Sequence, residues 1–173
     1  MLLKKSFAFA FFLAIAGLQC SAPKHPAAPV AATPSPSGDS IPGRIKMSDL
    51  EGKPLSMADF NGKPLFLNFW ATWCGPCVSE MASIEKISQQ YAGKINFLAL
   101  SNESPAQIRT YLKKNNFTFQ FAKLDVSYLD VFVVALPTTL LIDARGNVVE
   151  EIEGFRNWSS AGSLKKLDAL LEK

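Results

Sequence analysis

From residue 65 onward the chain alternates between short apolar runs and amphipathic stretches. Leu65-Phe66-Leu67-Asn68-Phe69-Trp70 is apolar at nearly every position, the pattern of a central strand covered on both faces, and Asn61-Gly62-Lys63-Pro64 forms a turn leading into it. After Cys74 the period changes. Val78, Met81, Ile84, Ile87 and Tyr91 recur at helical spacing, which predicts a helix with one buried stripe, closed by Gly93. Ile95 to Leu100 reads as a second buried strand, and Ser104 to Asn115 as a second helix with Ser104 as cap and Pro105 at its first position. A crossover of that length requires a parallel strand pair. Leu140 to Ile142, after Pro137, predicts a third strand, turned by Arg145-Gly146-Asn147 into Val148 to Ile152 as an antiparallel hairpin. A last helix, from about Ser159, sets Leu164, Leu167, Leu170 and Leu171 on one face. Upstream, Ile45 to Leu50 and Leu55 to Met57 flank Glu51-Gly52-Lys53-Pro54 as an extra N-terminal β-hairpin. The order β-α-β-α-β-β-α behind that hairpin predicts an α/β domain over residues 43–173, a mixed central β-sheet with helices on both faces.

The segments ahead of that domain have a different character. Lys4 and Lys5 precede an almost wholly apolar run from Phe7 to Leu18, the pattern of an export signal over residues 1–20. At roughly a dozen residues the run is too short to cross a bilayer of about 30 Å comfortably as a helix. Two processing routes fit it: cleavage after the small-x-small triplet Ala14-Ile15-Ala16, or lipid attachment at Cys20. The second resembles a bacterial lipobox, in which a Cys closes the apolar run, although Gln19 stands where that motif has a small residue; it is favoured because Cys74 and Cys77 stand together and an exported protein rarely leaves an odd exposed thiol unoccupied. Residues 21–42 carry Pro23, Pro26, Pro29, Pro34, Pro36 and Pro42 among Ala and Ser without apolar periodicity, as expected of a linker or tether. The expected location is therefore the periplasmic side of a membrane, lipid-anchored, with a soluble periplasmic form as the alternative.

Charge and cysteine count narrow the function. The formal charge is +3, and without Lys4 and Lys5 the remainder carries 16 basic and 15 acidic residues, so nothing recommends nucleic acid as a partner. Of three cysteines, Cys74 and Cys77 stand two residues apart, directly after a buried strand and at the opening of a helix. Unpaired N–H groups and the helix dipole there stabilise thiolate over thiol at Cys74, which makes it the nucleophile. Cys77, one turn further in, is placed to close a disulfide with it. Thiol–disulfide exchange follows, and Gly75-Pro76, with no His or charge to favour thiolate further, points to a reducing protein. A zinc site would need about four ligands, and only Cys20 and His25 could supplement the pair, so neither a metal nor a cofactor is expected. A purely structural disulfide remains the alternative for this pair.

With these residues in view, Phe69-Trp70-Ala71-Thr72-Trp73-Cys74-Gly75-Pro76-Cys77 and the later Leu136-Pro137-Thr138-Thr139 resemble the thioredoxin superfamily, and Leu55 to Glu80 is most similar to its TlpA/ResA-like branch of exported, often tethered reductases. The resemblance, over about residues 43–172, implies a thioredoxin-like three-layer fold and a cis peptide bond before Pro137, with Leu136 beside it to pair with a partner strand. It implies candidate catalytic residues Cys74, Cys77 and Glu80, the last replacing an acid that thioredoxins carry where this chain has Asn68. Substrate contacts fall to Trp73, Gly75, Pro76, Leu136 and Pro137. The implied partners are disulfide-bearing exported proteins, with apocytochrome c as one candidate, and a membrane thiol carrier that supplies reductant. Two departures stand out: Ala82 where relatives often have Pro, and a Val-rich segment from Asp125 to Ala135 without the usual Gly. The competing functions are a thiol-dependent peroxidase, whose Thr and Pro pattern is missing around Cys74, and a binding module with an inert disulfide.

Overall fold

The computed structural model describes residues 40–173. The export signal, Cys20 and the linker up to residue 39 lie outside the described residues. A short helix, α1 (Ile41–Arg44), opens the described chain and crosses the 42/43 position where the sequence suggests the domain begins. Two brief strands, β1 (Met47–Ser48) and β2 (Pro54–Leu55), pair antiparallel, and a 3-10 turn follows at Met57–Phe60. Then come β3 (Leu65–Phe69), α2 (Gly75–Gln90), β4 (Asn96–Ser101), α3 (Pro105–Leu112), β5 (Gln120–Leu124), a second 3-10 turn (Leu129–Val131), the hairpin β6 (Thr138–Ile142) and β7 (Val148–Glu153), and α4 (Ala161–Leu171).

The seven strands form one mixed sheet in the order β2-β1-β5-β4-β3-β6-β7. β4 runs parallel to both β3 and β5, and β6 runs antiparallel to β3. All five residues of β3 are buried, which agrees with their unbroken apolar run. Alternate residues feed opposite faces. Phe66 joins the layer beneath α2, α3 and α4, with Trp158 edge-on at 4.7 Å, whereas Leu65, Leu67 and Phe69 face the other side.

The helices divide unevenly between those faces. The crossovers β3-α2-β4 and β4-α3-β5 advance in the same direction across the sheet, and right-handed connections then lay both helices on one side. α4 joins them through Leu167 and Leu170. The opposite face is covered by α1, the two 3-10 turns and their flanking segments, through Ile41, Met57, Val126 and Tyr128.

Four local expectations need correcting. Strand β5 is absent from the sequence-based order. It extends the sheet beyond β4 by parallel pairing of Leu98–Ser101 with Gln120–Lys123, and its Phe121 packs edge-on against Trp70. On α2 the buried stripe is Cys77, Glu80, Met81, Ile84, Ile87 and Ser88, with Val78 exposed, because the stripe is phased by the inner cysteine. On α4, Leu171 is exposed and Ser163 takes its place on the buried face, with Leu164 half-buried. The second helix is also shorter than its pattern suggested. Ser104 and Gln107 form a reciprocal capping box at its start, and it ends at Leu112.

Because β3 is buried on both faces and paired on both edges, it has no room to relax around a lost side chain. Leu67→Ala should cost about 2–5 kcal/mol of unfolding free energy, measured by urea denaturation, with the denaturant dependence unchanged.

Candidate active site

The end of β3 delivers the chain to the N-terminus of α2. Cys74 is the cap residue of that helix, with extended backbone, and its Sγ accepts from the Cys77 N–H at 3.3 Å. Pro76 stands in the first turn, where no intrahelical donor is lost. Cys74 and Cys77 are joined in a disulfide, with Cα atoms 5.3 Å apart. Cys74 retains 6% of its surface and Cys77 none, so only the outer sulfur borders solvent.

That outer sulfur opens into a groove of about 530 Å³ lined by Trp73, Cys74, Gly75 and Pro76 on one side and by Tyr128, Leu129 and Val133 to Leu136 on the other. No charged side chain lines it. Trp73 and Leu129 are each 70% exposed and Val134 73%, an unusual density of apolar surface at the rim. The Leu136–Pro137 peptide bond is cis. Pro137 leads into β6, and its carbonyl accepts from the Gly154 N–H at 2.8 Å. In the Gly-free segment ahead of it, Phe132 itself adopts φ 60°, with the Arg44 guanidinium 4.4 Å above its ring.

Glu80 lies on the inward side of α2, one turn beyond Cys77, and is 1% exposed. Asn68 donates from Nδ2 to its Oε1 at 2.8 Å, and the Arg156 backbone N–H donates to Oε2 at 3.1 Å. The same Asn68 amide also donates to Thr139 Oγ1 at 2.9 Å, tying β3, α2 and β6 together under the dithiol. Burial pushes the Glu80 carboxyl up to about 7, against the smaller pull of the Arg156 N–H, the Asn68 amide and the Trp158 side chain.

The structure thus brings Trp73, Cys74, Gly75, Pro76 and Leu136 to one groove, with Pro137 directly behind it and Glu80 beneath the helix. Sequence reasoning missed Tyr128 as a wall of the groove and Arg156 as a partner of Glu80. Neither has a local signal, since each reaches the site from a distant loop. Asn68 was noted only as the position of an absent acid. Among the described residues no cluster of three His, Cys, Asp or Glu side chains could hold a metal ion, and no helix is long and apolar enough to cross a membrane.

The Redoxin family profile matches residues 36–171. The chain belongs to the Redoxin family. Similar members include the thiol-disulfide oxidoreductase ResA of Bacillus thuringiensis subsp. konkukian, 38% identical over 112 residues that make up 62% of this chain and 65% of the relative. The thioredoxin-like protein YneN of Bacillus subtilis is 35% identical over 112 residues, 61% of this chain and 65% of that one. The chain therefore spans just under two thirds, 65%, of the length of these curated relatives. Among solved structures, a Bacteroides vulgatus protein provisionally assigned as a thiol-disulfide oxidoreductase superposes with a TM-score of 0.64 at 29% identity, covering 72% of this chain and 90% of that one. StoA from Bacillus subtilis shares the fold, with a TM-score of 0.57 at 20% identity over 71% of this chain and 94% of its own. This Redoxin-family chain therefore has the thioredoxin-like fold that its motifs resemble.

A carboxyl whose folded value lies near 7 and whose ordinary value is 4.5 binds its proton more tightly in the folded state. Its contribution to stability is complete below about 4.5 and is lost as pH rises through about 7. Glu80→Gln should remove that loss. Relative to the parent, the variant should gain stability between pH 5 and pH 8, by up to on the order of 3 kcal/mol, read by denaturant titration at both pH values.

Proposed function

We propose that this protein is a thiol:disulfide oxidoreductase that reduces disulfides of exported proteins through Cys74 and Cys77. The observation that carries this reading is the placement of the disulfide: its outer sulfur caps a helix at the edge of an uncharged apolar groove, and its inner sulfur is sealed one turn above a buried carboxyl. The relatives named as thiol-disulfide oxidoreductases support it.

In the reduced protein, the Cys74 thiolate attacks one sulfur of a partner disulfide lying in the groove. A Cys74–partner bond forms and the second partner sulfur leaves as thiolate. Cys77 then gives its proton to the Glu80 carboxylate and attacks Cys74 Sγ. The partner's remaining sulfur leaves, so the partner gains two electrons and the Cys74–Cys77 disulfide returns. A carboxyl poised near 7 is matched to that transfer at neutral pH. Trp73, Gly75 and Pro76 on one wall, and Leu136 with Pro137 on the other, hold the partner strand. A membrane thiol carrier resets the pair.

The chain is organised, in this reading, as an export signal and anchor over residues 1–20 with lipid on Cys20, a tether over 21–42, and the redox domain from 43 onward. The protein then works on the periplasmic side of the membrane. Cys20→Ser should release it from the membrane fraction into the soluble one.

Cys74→Ser should abolish insulin-disulfide reduction, and Cys77→Ser should accumulate mixed disulfides with partner proteins that dithiothreitol releases. Equilibration against glutathione and dithiothreitol buffers should give a reducing potential. Full activity in Cys74→Ser would overturn the proposal and leave a binding module with an inert disulfide. Peroxide consumption faster than disulfide reduction would make the protein a peroxidase.

A further inference from the structure

A second buried acid holds the loop ahead of Cys74, and the exchange reaction does not use it. β4 ends at Ser101, and the next two residues bend over the loop that carries Cys74. Glu103 is 8% exposed. Its Oε2 accepts from the Thr72 backbone N–H at 2.7 Å and from the Ser101 hydroxyl at 3.0 Å, and its Oε1 accepts from the Thr72 hydroxyl at 2.6 Å. Both carboxyl oxygens are thus supplied by donors, the arrangement that suits an ionised group. Among the described residues it forms no ion pair, and the pairs that do form, Lys123–Asp125, Arg145–Asp143 and Lys166–Glu150, involve other groups.

The same turn grips the opposite wall of the groove. The Asn102 N–H donates to the Tyr128 hydroxyl at 3.2 Å, and that hydroxyl donates to the Trp70 carbonyl at 2.6 Å. Ser101 to Glu103 therefore holds the loop before Cys74 from two sides, through Thr72 and through Tyr128. Thr72 stands two residues from Cys74, a separation of chain that spans at most about 7 Å. Burial chiefly, with the Glu103 charge beside it, holds the Tyr128 phenol above its usual range.

We propose that Glu103 is a positioning residue for the nucleophile, clamping the Ala71–Trp73 loop through Thr72 and setting a fixed negative charge against the Cys74 thiolate. This rests on the reading of Cys74 and Cys77 as the working dithiol. The helix N-terminus favours thiolate, and Glu103 opposes it. The balance limits how far the reduced form is stabilised and so keeps the pair reducing. The other titratable groups around the two are Cys77 and Glu80 on the buried side of α2, the Tyr128 phenol across the groove, and Tyr111 and Lys114, which line the shallow cleft beside Thr72. None of them contacts the Glu103 carboxyl within hydrogen-bond or ion-pair distance among the described residues.

The test follows Cys74 alone, by the pH dependence of its alkylation with iodoacetamide in the reduced protein, alongside the reduction potential. Glu103→Gln keeps the shape and removes the charge. It should raise the thiolate fraction at fixed pH roughly three- to tenfold, a fall of about half to one unit in the Cys74 pKa, and make the potential less negative. Thr72→Val removes one donor and keeps the charge, so the Cys74 pKa should stay or rise. An unchanged or higher pKa in Glu103→Gln overturns the proposal, and so does an equal fall in Thr72→Val, which would make loop distortion the cause. Should Glu103→Gln not fold, Ser101→Ala strips a different donor from the carboxylate and keeps the charge, so the Cys74 pKa should again stay or rise; a fall overturns the proposal. Failure of the parent protein itself to cycle between disulfide and dithiol sinks the redox reading instead, which separates the two failures.

Discussion

The burial of β3 on every side is the constraint from which the site is built. It is hydrogen-bonded to β4 on one edge and β6 on the other, and none of its residues reaches solvent. Its length and register leave no freedom in where Trp70 ends and the loop to Cys74 begins. β6 starts with Thr138, paired with Phe69, so the Leu136–Pro137 wall and the dithiol are brought face to face by one strand register. A slip of one residue would reverse which side chains face α2. Asn68 would then leave Glu80, and the carboxyl would lose the donor that holds it under the helix.

Much of this was legible in the chain, and the reason is that the decisive signals are local. An apolar run followed by Cys-Gly-Pro-Cys and a change of period specifies strand, helix cap and helix within about fifteen residues. What escaped is non-local. β5 is short, and the alternation of Phe117, Phe119 and Phe121 that leads into it sits in a segment whose partner strand lies a helix away, so no turn signal marks it. Hydrophobicity puts Val78 in the buried stripe, but the stripe is phased by Cys77 and by Glu80, a residue type that composition places at the surface. Tyr128, Glu103 and Arg156 enter the site through loops and became visible only when the sheet was assembled.

Two acids, Glu80 on α2 and Glu103 against the loop before Cys74, are buried, and their surroundings differ. Glu80 is met by an amide and one backbone N–H under an aromatic and aliphatic layer, and burial dominates its protonation. Glu103 is met by a backbone N–H and two hydroxyls. Burial raises the Glu80 carboxyl, whereas donors meet the Glu103 carboxyl at both oxygens. Similar side chains at similar depth thus differ in what donates to them.

The complete burial of Cys77 has a further consequence for regiochemistry. An oxidant, an alkylating agent or a foreign disulfide can approach only the sulfur of Cys74, so every adduct forms beside a sheltered second thiol that is already within bonding reach. On the proposed reading, a sulfenic acid or a small-thiol adduct on Cys74 would be displaced by the Cys77 thiol, with water or the small thiol leaving as the disulfide closes. The geometry proposed to order the exchange reaction would thus also direct the repair of a modified Cys74.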